Sequence, residues 1–294
     1  MPFTYDNYKD ILVALDGPVA ILTFNRPKYQ NAWTEEMNKE VIHAFEQFDL
    51  DDRVRVVIVT GTGGAFCAGA DLRKGDFSTD GRYQPITIND HRDGGGQASL
   101  VIQRCRKVVI AAINGPAVGV GITIEKRTLG MDIRIAYKDA KIGFVFVRRG
   151  IVPEATSTYL LPRLIGHSRT MTLFLTGKVY PAHSPLLSLL FSSLIDTPDQ
   201  VLPAALELAK EIAGKTSAVS AAFAKALVWR PKASPEEQHL LDSKAMYATG
   251  NGADGKEGVK SFLEKRQPKF AGTVTKDLPD FYPWWDLVDV RSKI

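Results

Sequence analysis

Three short apolar runs, spaced by segments of helical character, constrain this chain more than any other feature. "RVRVVIVTG" (53–61), "KVVIAAING" (107–115) and "MDIRIAY" (131–137) are Val- and Ile-rich and too short for buried helices. Such runs suit strands covered on both faces. Helical patterns between them, including 97–106, imply a mostly parallel sheet with crossover helices. Ahead of these, residues 10–25 hold two β-rich runs around Asp16-Gly17, a hairpin signal. Thr34 is the expected N-cap of a helix whose apolar face is Met37, Val41, Phe45 and Phe48. Helical periodicity dominates from about 155 onward and is clearest in 201–214 and 257–270. The expected organisation is an α/β core over 1–200 and a helical region over 201–294. Residues 76–96 read as a long polar loop, either a flap over a pocket or surface filler.

Composition narrows the function. The 294 residues are 45% apolar and 24% charged, ordinary for a chain with a full core. A net charge of +4 is too mild for nucleic acid as the main partner but suits an anionic small molecule. Cys67 and Cys105 make no disulfide framework, and no apolar run approaches membrane-spanning length. The histidines at 43, 91, 167, 183 and 239 have no metal-ligand spacing, so no metal is expected and each reads as structural. Ser292-Lys293-Ile294 reads either as a variant of the Ser-Lys-Leu address, with the peroxisomal matrix reached through an import receptor, or as a frayed polar tail, with the cytoplasm as the alternative compartment.

Two glycine-rich turns follow strands and precede helical segments: "AFCAGADLRKG" (65–75) and "NGPAVGVGIT" (114–123). Small residues let the backbone turn tightly and present N–H groups. Neither closes as a phosphate-binding loop, and "GVG" lacks the later glycine of a dinucleotide fingerprint. Either turn alone is common as plain crossover structure; two donor turns beyond neighbouring parallel strands would also suit an oxyanion hole.

"LTFNRPKYQNAW", "GTGGAFCAGADL", "INGPAVGVG", "DIRIAYKDAKIGF", "GIVPEATSTYLLPRLIG" and "EGVKSFLEKRQPKF" occur in that order across roughly 10–270. Together they resemble the crotonase, or enoyl-CoA hydratase/isomerase, family. The resemblance implies an α/β fold, a spiral of βαβ units with a C-terminal helical trimerisation region, assembled as a trimer or a dimer of trimers. It implies acyl-CoA thioesters as substrates, with coenzyme A carried on the substrate and no separate cofactor. The oxyanion donors it implies are the backbone N–H groups of Ala70 and Val120. Val120 stands where the family usually has glycine, which is harmless only if φ there is negative. The resemblance also places Lys28, Ala68, Asp71, Leu72, Arg73, Phe146 and Lys265 against the substrate. Lys265 would reach the nucleotide end, or else serve as an ordinary pair partner on a solvated helix.

Family hydratases use two glutamates, and here those positions are Thr123 and Phe146, neither able to serve as general base. Glu154, four residues after Gly150, matches the single acid/base of the Δ3,Δ2-enoyl-CoA isomerase branch. Apolar walls such as Phe144 and Phe146 would raise its pKa, and a place in the first turn of a helix after Pro153 would oppose that. The bland reading is that Glu154 merely complements a helix dipole. A segment about three residues longer than usual brings Glu125, Lys126 and Arg127 in as a solvated excursion or, through Glu125, as a second acid. The expected activity is enoyl-CoA isomerisation. The alternatives are a hydratase with altered acids and a non-catalytic acyl-CoA-binding subunit.

Overall fold

The computed structural model describes residues 3–74, 88–123 and 129–290. The expectations placed on Glu125, Lys126 and Arg127, on residues 76–87 of the polar loop, and on Ser292, Lys293 and Ile294 lie outside them. A six-stranded sheet runs in the order β1 (Ile11–Asp16), β2 (Val19–Phe24), β3 (Val56–Gly61), β4 (Val108–Ile113), β6 (Ile133–Tyr137) and β9 (Ser193–Ile195). Only the β1–β2 pair is antiparallel; the other pairs in this sheet are parallel. The Asp16-Gly17 hairpin is present, with Gly17 at φ +58. Strand β3 is buried along its whole length, as its unbroken apolar run requires.

A second ladder runs beyond the carboxyl ends of these strands. Trp33 bridges Ala70 in parallel and Cys67 bridges Ala117. Then β5 (Ala117–Val118) pairs with β7 (Lys141–Gly143), which pairs antiparallel with β8 (Val179–Pro181). Each pass of the chain thus adds one strand to the large sheet and one short step to the second ladder. This is a spiral of βαβ units.

Helices close both faces. Helix α1 (Glu35–Leu50) begins at Thr34, whose side chain accepts from Met37 N, and buries Met37, Val41, Phe45 and Phe48. Helix α2 (Gly94–Arg104) packs against α1. On the other face, the helix Val201–Lys215 sets Val201, Ala205, Ala209 and Ala213 against Val19, Val56, Ile58 and Ile110. Further helices follow at Ala218–Trp229, Pro235–Asn251 and Ala253–Leu263. Lys225 in the first of these pairs with Asp132 at 2.9 Å, both largely buried. Trp229 Nε1 and Val109 N also donate to that carboxylate.

Two expectations need correction. The helical pattern of 257–270 stops at Leu263, and Lys265 turns left-handed at φ 53, past the helix end. Glu154 is not in the first turn of a helix. The helix begins at Ser157, and the two residues between them, Ala155 (φ 55) and Thr156 (φ 63), are both left-handed.

Candidate active site

The two glycine-rich turns converge because glycine allows backbone to approach backbone. A Cβ on Gly69, whose φ is +110, would stand 2.7 Å from Val118 O. A Cβ on Gly121 would overlap Cys67 O outright and lie 2.9 Å from Gly69 N. Hydrogen bonds from Cys67 N to Pro116 O (3.2 Å) and from Val118 N to Cys67 O (3.3 Å) lock the turns together.

The candidate donors are set by this ladder. In the Trp33–Ala70 bridge the bonds run from Trp33 N to Gly69 O (2.8 Å) and from Asp71 N to Trp33 O (3.0 Å). Ala70 itself lends no group to the bridge. Val120 is the first residue of α3 (Val120–Thr123), a position whose N–H has no acceptor within its helix. The backbone there is right-handed helical, so φ is negative and a valine in place of glycine is unstrained.

Both turns open onto one cavity of about 520 Å³ lined by Ala68, Gly69, Ala70, Leu72, Val118 and Gly119. Val145, Phe146, Ile151, Val152, Pro153 and Glu154 line the same cavity. Phe146 is buried within it, whereas Phe144 packs edge-on against Phe174 and is not among the lining residues. The apolar wall near Glu154 is therefore Phe146 and its neighbours rather than Phe144.

Glu154 is half-buried, and its carboxylate rests over the first turn of α2. Its Oε2 lies 2.5 Å from where a Cβ on Gly95 would stand. A tight turn holds it there: Ser157 N (3.2 Å) and Ser157 Oγ (3.0 Å) both donate to Glu154 O. The helix end facing this acid is thus that of α2, not that of the segment following Glu154.

Other expected residues lie elsewhere. Asp71 accepts from Arg26 Nη2 at 3.0 Å and from Arg73 Nε at 2.7 Å. The Arg73 guanidinium, then Arg26, holds the Asp71 carboxyl well below the usual carboxylate range, against the opposing effect of burial. Arg73 also lies over the Tyr29 ring, 3.6 Å from its centroid. Lys28 lines a separate, open groove with Lys9, Arg26 and Lys39. Lys265 is not among the lining residues of either cavity.

Three polar cavity residues escape sequence reasoning: His91, Asp93 and Arg149. His91, expected as structural, lines the cavity. Asp93 is the N-cap of α2 and accepts from Gly96 N. An Asp ahead of a helix is a recognisable cap, but three following glycines disguise the helix start. Among the described residues no cluster of His, Cys, Asp and Glu could hold a metal.

Residues 15–273 match the family model described as enoyl-CoA hydratase/isomerase. The chain belongs to that family. It is 46% identical over 276 residues to enoyl-CoA hydratase AFT3-1 of Alternaria alternata, covering 92% of this chain and 90% of that protein. It is 32% identical over 270 residues to 1,2-epoxyphenylacetyl-CoA isomerase of Escherichia coli strain K12, covering 89% and 98% respectively. Enoyl-CoA hydratase from Bacillus anthracis, a solved structure, superposes with a TM-score of 0.80 at 27% identity over 89% of this chain and 99% of that one. The crotonase-like spiral is therefore shared, and the protein is an acyl-CoA-processing member of the hydratase/isomerase family. Its relatives carry both hydratase and isomerase names.

Proposed function

We propose that this enzyme isomerises the double bond of an enoyl-CoA, with Glu154 as the acid/base and the N–H groups of Ala70 and Val120 as oxyanion donors. One observation carries the reading: Glu154 shares a cavity with both donor turns, while Phe146 fills a position where family hydratases keep an acid. The Glu154 carboxylate takes a proton from C2 of a 3-enoyl thioester. The C–H pair forms the C1–C2 double bond of a dienolate, and the thioester oxygen becomes the anion that the two N–H groups face. The carbonyl then reforms, a double bond appears between C2 and C3, and Glu154 returns the proton to C4. A cavity lined by Val145, Phe146, Ile151 and Val152 keeps water away from the dienolate.

In this reading Ala68 and Leu72 flank the thioester, and Lys28, Asp71, Arg73 and Lys265 serve the coenzyme A path. Exposed Leu240, Met246, Tyr247, Phe262 and Leu263 on the C-terminal helices support assembly into a trimer or dimer of trimers.

Hydration of a 2-enoyl-CoA is the second reading, and a specific observation favours it. Asp93 lines the same cavity as Glu154, so a second carboxylate is available to orient water. Incubating the purified protein separately with 3-hexenoyl-CoA and 2-hexenoyl-CoA separates the two. Migration of the double bond without added water supports isomerisation. Formation of 3-hydroxyhexanoyl-CoA as the sole product overturns it.

A further inference from the structure

Helix α2 opens with three consecutive glycines, the poorest helix formers after proline. Gly95, the middle one, is buried, and the space beside its Cα is already taken. A Cβ there would stand 2.5 Å from Glu154 Oε2, 3.1 Å from Glu154 Cδ and 3.1 Å from the Ala155 Cβ. The turn carrying Glu154 is also tied to the same helix, since Thr156 Oγ1 lies 3.2 Å from Ser99 Oγ, one turn further along α2. The neighbouring glycines meet different partners: Gly94 would meet Asn38 Nδ2 at 3.3 Å, and Gly96 would meet its own cap, Asp93.

We propose that Gly95 is a positioning residue, whose missing side chain is what lets the Glu154 carboxylate seat against the first turn of α2 at the reacting end of the cavity. The inference rests on Glu154 being the acid/base. Any side chain at 95 pushes the carboxylate off its seat while leaving the backbone donors and the rest of the cavity in place. A helix with alanine instead of glycine at this site is, by propensity, the better helix. The Ala155 Cβ, 3.1 Å away, must also give by a few tenths of an ångström, so the variant's fold is checked alongside its rate.

The experiment measures exchange of the α-proton of butyryl-CoA in D2O by NMR, a readout of enolate formation common to isomerase and hydratase chemistry. Gly95→Ala is expected to lower the exchange rate at saturation about 100-fold, the cost of misplacing a catalytic group by about 1 Å. Its KM should not worsen, and it should remain folded at the assay temperature. Gly94→Ala, which adds a methyl on the same turn away from Glu154, should exchange like wild type. Glu154→Asp withdraws the carboxylate from the space the methyl needs, so the losses in Gly95→Ala/Glu154→Asp should fall short of the product of the single losses. Wild-type exchange in Gly95→Ala, or losses that multiply in the double variant, overturns the proposal. Failure of the underlying reading looks different: Glu154→Gln would itself keep exchanging.

Discussion

Replacing Gly121 by alanine tests whether the two donor turns must touch. The added Cβ would overlap Cys67 O and lie 2.8 Å from Cys67 C and 2.9 Å from Gly69 N. All of these are backbone atoms, so no side chain can swing aside. Real Cβ atoms essentially never come closer than 3.0 Å, so the turn carrying Ala70 and the start of α3 must separate. A retreat on the order of 1 Å removes a donor from its place, and losing one oxyanion donor costs about 100- to 1000-fold in turnover. Overpacking of this kind also destabilises by about 1–3 kcal/mol. Unfolding in urea checks that the variant folds, and α-proton exchange of butyryl-CoA then gives its rate of enolate formation. A folded Gly121→Ala protein exchanging at the wild-type rate would refute the view that these turns act as one unit.

The Asp71 carboxyl, depressed by Arg73 and Arg26, contributes stability fully present above its unfolded value of 3.8 and lost as pH falls through its folded value. Asp71→Asn should therefore unfold at lower urea concentration at neutral pH, by about 1–3 kcal/mol, with the gap from wild type closing below pH 3.8. A gap that persists at acid pH would assign the loss to packing instead. Lys225→Met leaves Asp132 buried without its cation, and should cost about 3–5 kcal/mol in urea unfolding. A loss near zero would show that Trp229 Nε1 and Val109 N alone satisfy that carboxylate.

Elements announced by side chains were legible in the sequence. The Asp16-Gly17 hairpin, the Thr34 cap and the apolar runs of β3, β4 and β6 needed only periodicity and turn chemistry. The donor turns were visible because close backbone approach demands glycine, as at Gly69 and Gly121. What escaped was left-handed backbone at ordinary residues. Ala155 and Thr156 adopt positive φ with no glycine to signal it, so Pro153-Glu154 looked like a helix start. Lys265 turns the same way where a glycine would have marked the end of the preceding helix. The opposite error hid only the first turn of α2, a helix expected from 97: its glycines suggested a loop, although Asn38, Glu154 and Asp93 crowd that turn.

The most direct test of Glu154 as proton carrier is Glu154→Gln, which keeps the side chain's shape and removes its basicity. The variant should bind butyryl-CoA as tightly as wild type in a calorimetric titration, yet incorporate no deuterium at C2 and move no double bond in 3-hexenoyl-CoA. Deuterium incorporation at the wild-type rate would show that another group takes the proton, and would contradict the account.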